Sequence, residues 1–193
     1  GDVANVVVGG NYRQYQLNSE GNLFNDAENP ISISEFGAYA QASKALLKDK
    51  RLNILASIRY DKNSNFEGQF TPRASIVYSG GRKKEHNFRF TYQTGFRNPE
   101  NQAQYIGLDI GVLKLLGGAQ DNIDNYSIDI PYALNDSTMA TSTVSGADVY
   151  GDSYTAASVE KFAGSGNPAD LVPATVSSIL PEQVTTFEVG YRG

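Results

Sequence analysis

The sequence predicts an all-β chain: an antiparallel up-and-down meander taken from a partial transmembrane β-barrel, with a long loop carrying short helices. Three observations carry this. Six segments alternate apolar and polar residues at period two, as strands with two unlike faces do. The connections between them alternate between short and long. The composition is polar without being charged, with 19% Asp, Glu, Lys and Arg, 12 Tyr, 9 Phe and no Trp.

The first segment, residues 3–17, sets Val6, Val8, Gly10 and Tyr12 against Gly9, Asn11 and Arg13. Residues 35–46 set Phe36, Ala38, Ala40 and Ala42 against Gly37, Tyr39, Gln41 and Ser43. Residues 51–61 place Leu52, Ile54, Ala56, Ile58 and Tyr60 on one side and Arg51, Asn53, Leu55, Ser57, Arg59 and Asp61 on the other. In residues 70–78 the pattern is Phe70, Pro72, Ala74, Ile76, Tyr78 against Thr71, Arg73, Ser75, Val77. Residues 86–97 oppose Phe88, Phe90, Tyr92, Thr94 and Phe96 to Asn87, Arg89, Thr91, Gln93, Gly95 and Arg97. The last, residues 184–192, opposes Thr185, Phe187, Val189 and Tyr191 to Thr186, Glu188, Gly190 and Arg192.

Residues 47–50 and 79–85 are short, polar, turn-like links, the second with Gly80 and Gly81 where a positive φ is needed. Residues 18–34, 62–69 and 98–182 lie at the other end and are longer. Short turns at one end and long loops at the other are the habit of bacterial outer-membrane barrels, whose loops face outward. A soluble β-sandwich, used as an adhesive or binding module, alternates equally well. Strand length favours the membrane reading, since a tilted spanning strand needs about 9–11 residues. So do the aromatics at strand ends, Tyr60, Phe70, Tyr78, Phe88 and Phe96, placed as an interfacial girdle would be. The division expected is strands over 1–97, a loop insertion over 98–182, and a further strand over 183–193.

Composition removes several functions. With 16 Lys and Arg against 21 Asp and Glu, a net charge of -5, the chain lacks the basic surplus of a nucleic-acid binder. Without Cys and with one His, His86, it has neither thiolate chemistry nor a histidine metal cluster. No run of about 18 apolar residues suits a membrane helix. Asp121, Asp124 and Asp129 miss the calcium-loop spacing, Ile123 occupying a ligand slot, and read as a solvated loop. His86 has no Ser placed beside it for a hydrolase pair. The chain is expected to be no enzyme, with no catalytic residue, metal or cofactor.

The insertion is too long for an idle connection. Asn98-Pro99-Glu100 reads as a helix start, with Tyr105, Leu108, Val112, Leu115 and Leu116 near helical spacing up to Gly117-Gly118. A second helix is expected over residues 153–162, stopped by Gly164. Tyr105, Tyr126, Tyr132, Tyr150 and Tyr154 can stack on sugars or pack the loop itself. Arg13, Arg59, Arg73, Arg89 and Arg192, with Glu188, fall on the polar strand faces. In a barrel that face lines the lumen; in a soluble sheet it is solvated, and the arginines pair with Glu188 and Asp61.

Several runs resemble the barrel of TonB-dependent outer-membrane receptors: Gly10-Asn11-Tyr12-Arg13-Gln14-Tyr15, Gly37-Ala38-Tyr39-Ala40-Gln41, Arg59-Tyr60-Asp61 and Thr71-Pro72-Arg73-Ala74. The most specific is Gly95-Phe96-Arg97-Asn98-Pro99, continued to Ile106, then Leu180-Pro181-Glu182-Gln183 and Glu188-x-Gly190-Tyr191. The Gly95–Ile106 form is similar to receptors of the Bacteroidetes. The resemblance implies a bacterial outer-membrane location and a barrel of about 22 strands with a plug. It implies import of a glycan, peptide or metal chelate, energised through the TonB complex. The partners implied are outer-membrane lipid, the plug domain, TonB through segments outside these residues, and in some cases a surface lipoprotein. Six strands are fewer than the eight of the smallest single-chain barrel, so a fragment of the barrel domain is expected. Its ligand-facing positions are expected at Arg97, Asn98, Asn101, Gln102, Gln104 and Tyr105.

Overall fold

The computed structural model describes residues 3–27, 30–109, 114–135 and 138–193, apart from the side chains of Asp109 and Lys114. The described elements in chain order begin with β1 (Asn5–Leu17), β2 (Ile31–Leu46), β3 (Leu52–Asn63), β4 (Gln69–Gly80) and β5 (His86–Arg97). They continue with α1 (Asn101–Tyr105), β6 (Gly107–Asp109), β7 (Lys114–Leu116), α2 (Gln120–Asn125), β8 (Ser127–Asn135) and β9 (Thr138–Ser145). α3 (Gly146–Gly151), α4 (Ala156–Ser165) and β10 (Glu182–Arg192) complete them. The chain divides into two units: Gly1–Gln16 with Ser32–Asn98 and Leu180–Gly193, and Leu17–Ile31 with Pro99–Ile179.

The first unit is one six-stranded sheet of order β1-β2-β3-β4-β5-β10, in which each strand up to β5 pairs with the next along the chain. All six period-two segments are strands of this sheet: β5 matches its alternation, β1 starts two residues later, and the other four are one to four residues longer. Antiparallel partners point their side chains the same way, so the register joins the alternations of single strands into continuous faces. One row of the apolar face runs Leu46, Leu52, Tyr78, Phe88, Tyr191. A second runs Ala42, Ala56, Ala74, Tyr92, Phe187. Phe70, Phe88 and Phe187 on this face are 65%, 51% and 69% exposed. The sheet therefore has a wide greasy side that nothing in its own unit covers.

The ladder between β4 and β5 runs only from Arg73–Gln93 to Gly80–His86. It stops at Pro72, whose nitrogen has no hydrogen to donate. Beside the break the buried Thr94 hydroxyl lacks a hydrogen-bond partner among the described residues.

The second unit has a small core of its own: Tyr105, Ala119 and Ile123, with the buried amides of Gln104 and Asn122. Helical spacing over residues 105–116 is not realised as one helix. α1 starts at Asn101 with Glu100 as N-cap, two residues after the Asn98 expected to cap it, and ends at Tyr105. Leu108 and Leu115 then face each other across the β6–β7 pair; Val112 lies outside the described residues. Two apolar residues seven apart suit a helix face and a short hairpin alike; the helix is capped at Ile106 (φ -53°, ψ 134°) and Gly107 already pairs with Leu116. The second expected helix is present as α4, displaced toward the C-terminus and ended by Gly166 in the left-handed region (φ 67°). The β8–β9 hairpin, α2 and α3 were not foreseen.

Where Leu17–Ile31 enters this unit, Asp26 accepts from the Ser19 and Gly21 amides and the Ser19 hydroxyl. Burial pushes the Asp26 carboxyl up, but these donors together hold it below the ordinary carboxylate range. A lowered folded value means the stabilisation is complete above about pH 4. It is lost as pH falls through that lowered value. Protection of the Ser19 and Gly21 amides, taken against the intrinsic exchange rate at each pH, is therefore expected to be high at neutral pH and to fall on acidification. Asp26→Asn should show low protection throughout.

Candidate functional site

The polar face of the sheet is where the chain concentrates chemistry. Its rows follow from the same register: Tyr39, Arg59, Thr71; then Ser57, Arg73, Gln93, Thr186; then Ser75, Thr91, Glu188. Arg89 pairs across with Val77 and Gly190, and Arg192 with Asn87. Arg13 reaches Glu35 at 3.6 Å. Arg13, Arg59, Arg73, Arg89, Glu188 and Arg192 thus share one face of one sheet.

Toward the long-loop end this face holds a cleft of about 370 Å³, lined by Asn11, Arg13, Glu35, Arg59, Asp61 and Asn98 among others. Two carboxylates organise it. The Arg59 guanidinium donates to both oxygens of Asp61, with Nε to Oδ2 at 2.6 Å, and its Nη2 donates to Asn11 at 2.8 Å. Glu35 accepts from Asn63 at 2.9 Å, Asn98 at 3.2 Å and Tyr15 at 3.5 Å. A Cβ on Gly37 would collide with the side chains of Asp61, Arg59 and Asn11, so glycine there is what lets the fork-on-fork pair lie flat against β2. Lower on the face a groove of about 590 Å³ includes Asn53, Arg73, Ser75, Arg89 and Glu188. There Arg89 and Glu188 stand 3.9 Å apart and well exposed, a pair worth little in water.

The arrangement is a polar, hydrogen-bonding face. The upper cleft is cross-braced by bidentate and multiply accepted carboxylates, while the lower groove leaves Arg73 exposed. Removing one partner of the upper pair has a measurable cost. Asp61→Ala is expected to lower stability by about 1 kcal/mol, the pair being partly exposed. Arg59→Met with Asp61→Ala should recover part of that, read from thermal midpoints.

The expected ligand positions fare unevenly. Gln104 and Tyr105 are 1% and 2% exposed, and the Gln104 amide donates to the Pro99 carbonyl at 2.6 Å. They hold the second unit together and are not available at its surface, which corrects their place in the expected set. The Asn98 amide is committed to Glu35. Gln102 and Arg97 are exposed and Asn101 is partly so. Of the tyrosines, Tyr105 and Tyr126 are buried, and Tyr132 and Tyr154 are 47% and 43% exposed.

Asp121, Asp124 and Asp129 accept separately from Asn125, Gln120 and Thr143. His86 Nδ1 lies 2.8 Å from the Tyr191 hydroxyl, and Ser75 bonds Thr91 on the polar face. Residue-by-residue reading passed over Asn11 and Glu35 as members of the cleft, while Asp61 was already offered as a partner for the arginines. Period-two parity already put Glu35 on the side of Gly37 and Tyr39; only the register shows that Arg59 meets that side.

Over residues 1–193 the chain matches the family model described as TonB dependent receptor-like, beta-barrel. No curated protein and no solved structure matches it.

Proposed function

The chain belongs to the TonB-dependent receptor-like β-barrel family, and from that premise we propose that its sheet is wall, and its second unit outer vestibule, of a receptor importing a nutrient. The nutrient class we infer is a glycan, peptide or metal chelate, taken across the outer membrane. The observation that carries the reading is the two-faced sheet: an exposed apolar side backed by a hydrogen-bonding side with a polar cleft. That is the section of a barrel wall between lipid and lumen. In this reading Arg13, Arg59, Arg73, Arg89, Glu188 and Arg192 face the lumen and its plug.

The open edges of the described sheet, β1 and β10, take further strands of the same barrel, since open edges do not persist in lipid. Outer-membrane lipid, the plug domain and the TonB complex are its partners. The Gly95–Ile106 run supports a host among the Bacteroidetes, where some such receptors carry a surface lipoprotein lid. In the second unit the groups offered to a ligand are Asn101 and Gln102, with Tyr132 and Tyr154 as stacking surfaces. Arg97 is the corresponding position at the end of β5.

The test replaces residues 99–179 of the full-length receptor by a short Gly-Ser connection. Outer-membrane fractionation should be unchanged, and growth of a receptor-dependent strain on a panel of glycans, peptides and metal chelates should be lost. Retained growth would refute the vestibule role. Recovery of the unaltered receptor in the soluble fraction would refute the barrel.

A further inference from the structure

We propose that the short-turn end of the sheet is a docking surface for the anionic phosphate headgroups of the membrane leaflet it borders. The inference rests on the barrel reading and adds a lipid preference to it. Charge is its first support. The turns after β2 and β4 carry Lys48, Lys50, Arg51, Arg82, Lys83 and Lys84 against only Asp49 and Glu85, in a chain whose net charge is -5. The first unit as a whole holds 14 of the 16 Lys and Arg and 8 of the 21 Asp and Glu.

The two turns are fastened into one platform. Lys84 Nζ donates to the Asp49 carbonyl at 2.6 Å, and Arg51 donates to the carbonyls of Gly81 at 2.6 Å and Ser79 at 3.2 Å. These bonds hold Arg51 and Lys84 within the platform. Lys48, Arg82 and Lys83 remain exposed at its surface.

What lies beside the cations selects lipid over a soluble polyanion. The last apolar row before the turns is Leu46, Leu52, Tyr78, Phe88, Tyr191, with Phe88 and Tyr191 rings 5.0 Å apart. Its hydroxyl-bearing rings suit the boundary where hydrocarbon meets headgroups. The cations follow within a few residues, where the phosphates would be.

Leu47 is the second pointer. It is 62% exposed and sits at φ 66°, ψ 167°, a region that only glycine occupies without strain. An apolar side chain held at such a cost on a turn tip, among lysines, is explained if it enters the bilayer interface.

The experiment uses the full-length receptor, delipidated in neutral detergent and titrated with phosphatidylglycerol or phosphatidylcholine of the same chains, bound lipid being counted by native mass spectrometry. Phosphatidylglycerol should be retained at least about tenfold more tightly, since each cation near a headgroup layer contributes on the order of a factor of five. Lys48→Gln, Arg82→Gln and Lys83→Gln together should remove that preference, and Lys48→Arg with Lys83→Arg should keep it. Equal retention of both lipids by the wild type, or an unchanged preference in the triple variant, overturns the proposal. So does displacement of phosphatidylglycerol by soluble anionic cell-wall fragments at comparable concentration. Heat-modifiable mobility on gels checks that the triple variant is folded. If that variant does not fold, Lys48→Gln alone and Arg82→Gln alone are read the same way. Outer-membrane fractionation of the wild type separates failure of this inference from failure of the barrel reading.

Discussion

Phe187→Arg is expected to stop the full-length receptor from assembling in the outer membrane, whereas Gln41→Arg is expected to leave assembly intact. Phe187 lies in register with Tyr92 on β5 and through it with Ala74 on β4, midway between Phe70 and Tyr78 on the apolar face. It is 69% exposed within the sheet. Phe70 and Tyr78 bound this face on β4, eight residues or about 26 Å apart along the strand. Tilted by about 40°, that spans most of an apolar band of about 25 Å. An arginine near its midplane costs about 2–4 kcal/mol, a large share of the 5–15 kcal/mol that holds a typical fold together. Gln41 pairs with Ser57 on the opposite face, where a guanidinium stays in water. The check is heat-modifiable mobility of each variant in outer-membrane fractions, followed by urea unfolding in vesicles. Equal behaviour of the two would mean that the faces are wrongly assigned.

Tyr105→Ala is expected to unfold the second unit while leaving the sheet in place. Tyr105 is 2% exposed, and aromatic-to-alanine changes at such sites cost about 3–5 kcal/mol. Gly117→Val should act similarly from the other side, because a Cβ at Gly117 would press on the backbone of Gln104 and Tyr105 at 2.5–2.6 Å. Limited proteolysis of the intact receptor in membranes reads the result. New cleavage should appear within residues 99–179, and the strands should remain protected. Growth on the imported nutrient should fall with it. Protection of residues 99–179 in both variants would show that this core does not hold the unit.

The strands were legible in the sequence because a half-buried strand writes its two environments directly into alternate residues. Leu52 to Tyr60 and Phe88 to Phe96 could be read that way from side-chain chemistry alone. What the alternation does not contain is which residue meets which across the strands. The approach of Arg59 to Asn11 joins positions 48 apart, and the gathering of Asn98 on Glu35 joins positions 63 apart. The insertion was legible only in its capping signals. Tyr105, Leu108 and Leu115 read as one helical stripe, yet Tyr105 is buried at the end of a five-residue helix while Leu108 and Leu115 pair across two short strands, Leu115 being 46% exposed. Gln104 and Tyr105 looked like surface groups because an amide and a phenol are common there. The Pro99 carbonyl that occupies the Gln104 amide is invisible to any periodicity.

The second unit also decides how the sheet can assemble in time. β2 through β5 are added by local hairpins, but β10 pairs with β5 across residues 98–181. Closing so long a loop costs about 2–3 kcal/mol more entropy than closing the turn between β4 and β5. The unit itself shortens that search. Gly118 donates to the Ala103 carbonyl at 2.9 Å and accepts from the Ile179 amide at 2.8 Å, so once folded it holds the two ends of the excursion near each other. Residues outside the sheet therefore shorten the closure that brings β10 to β5.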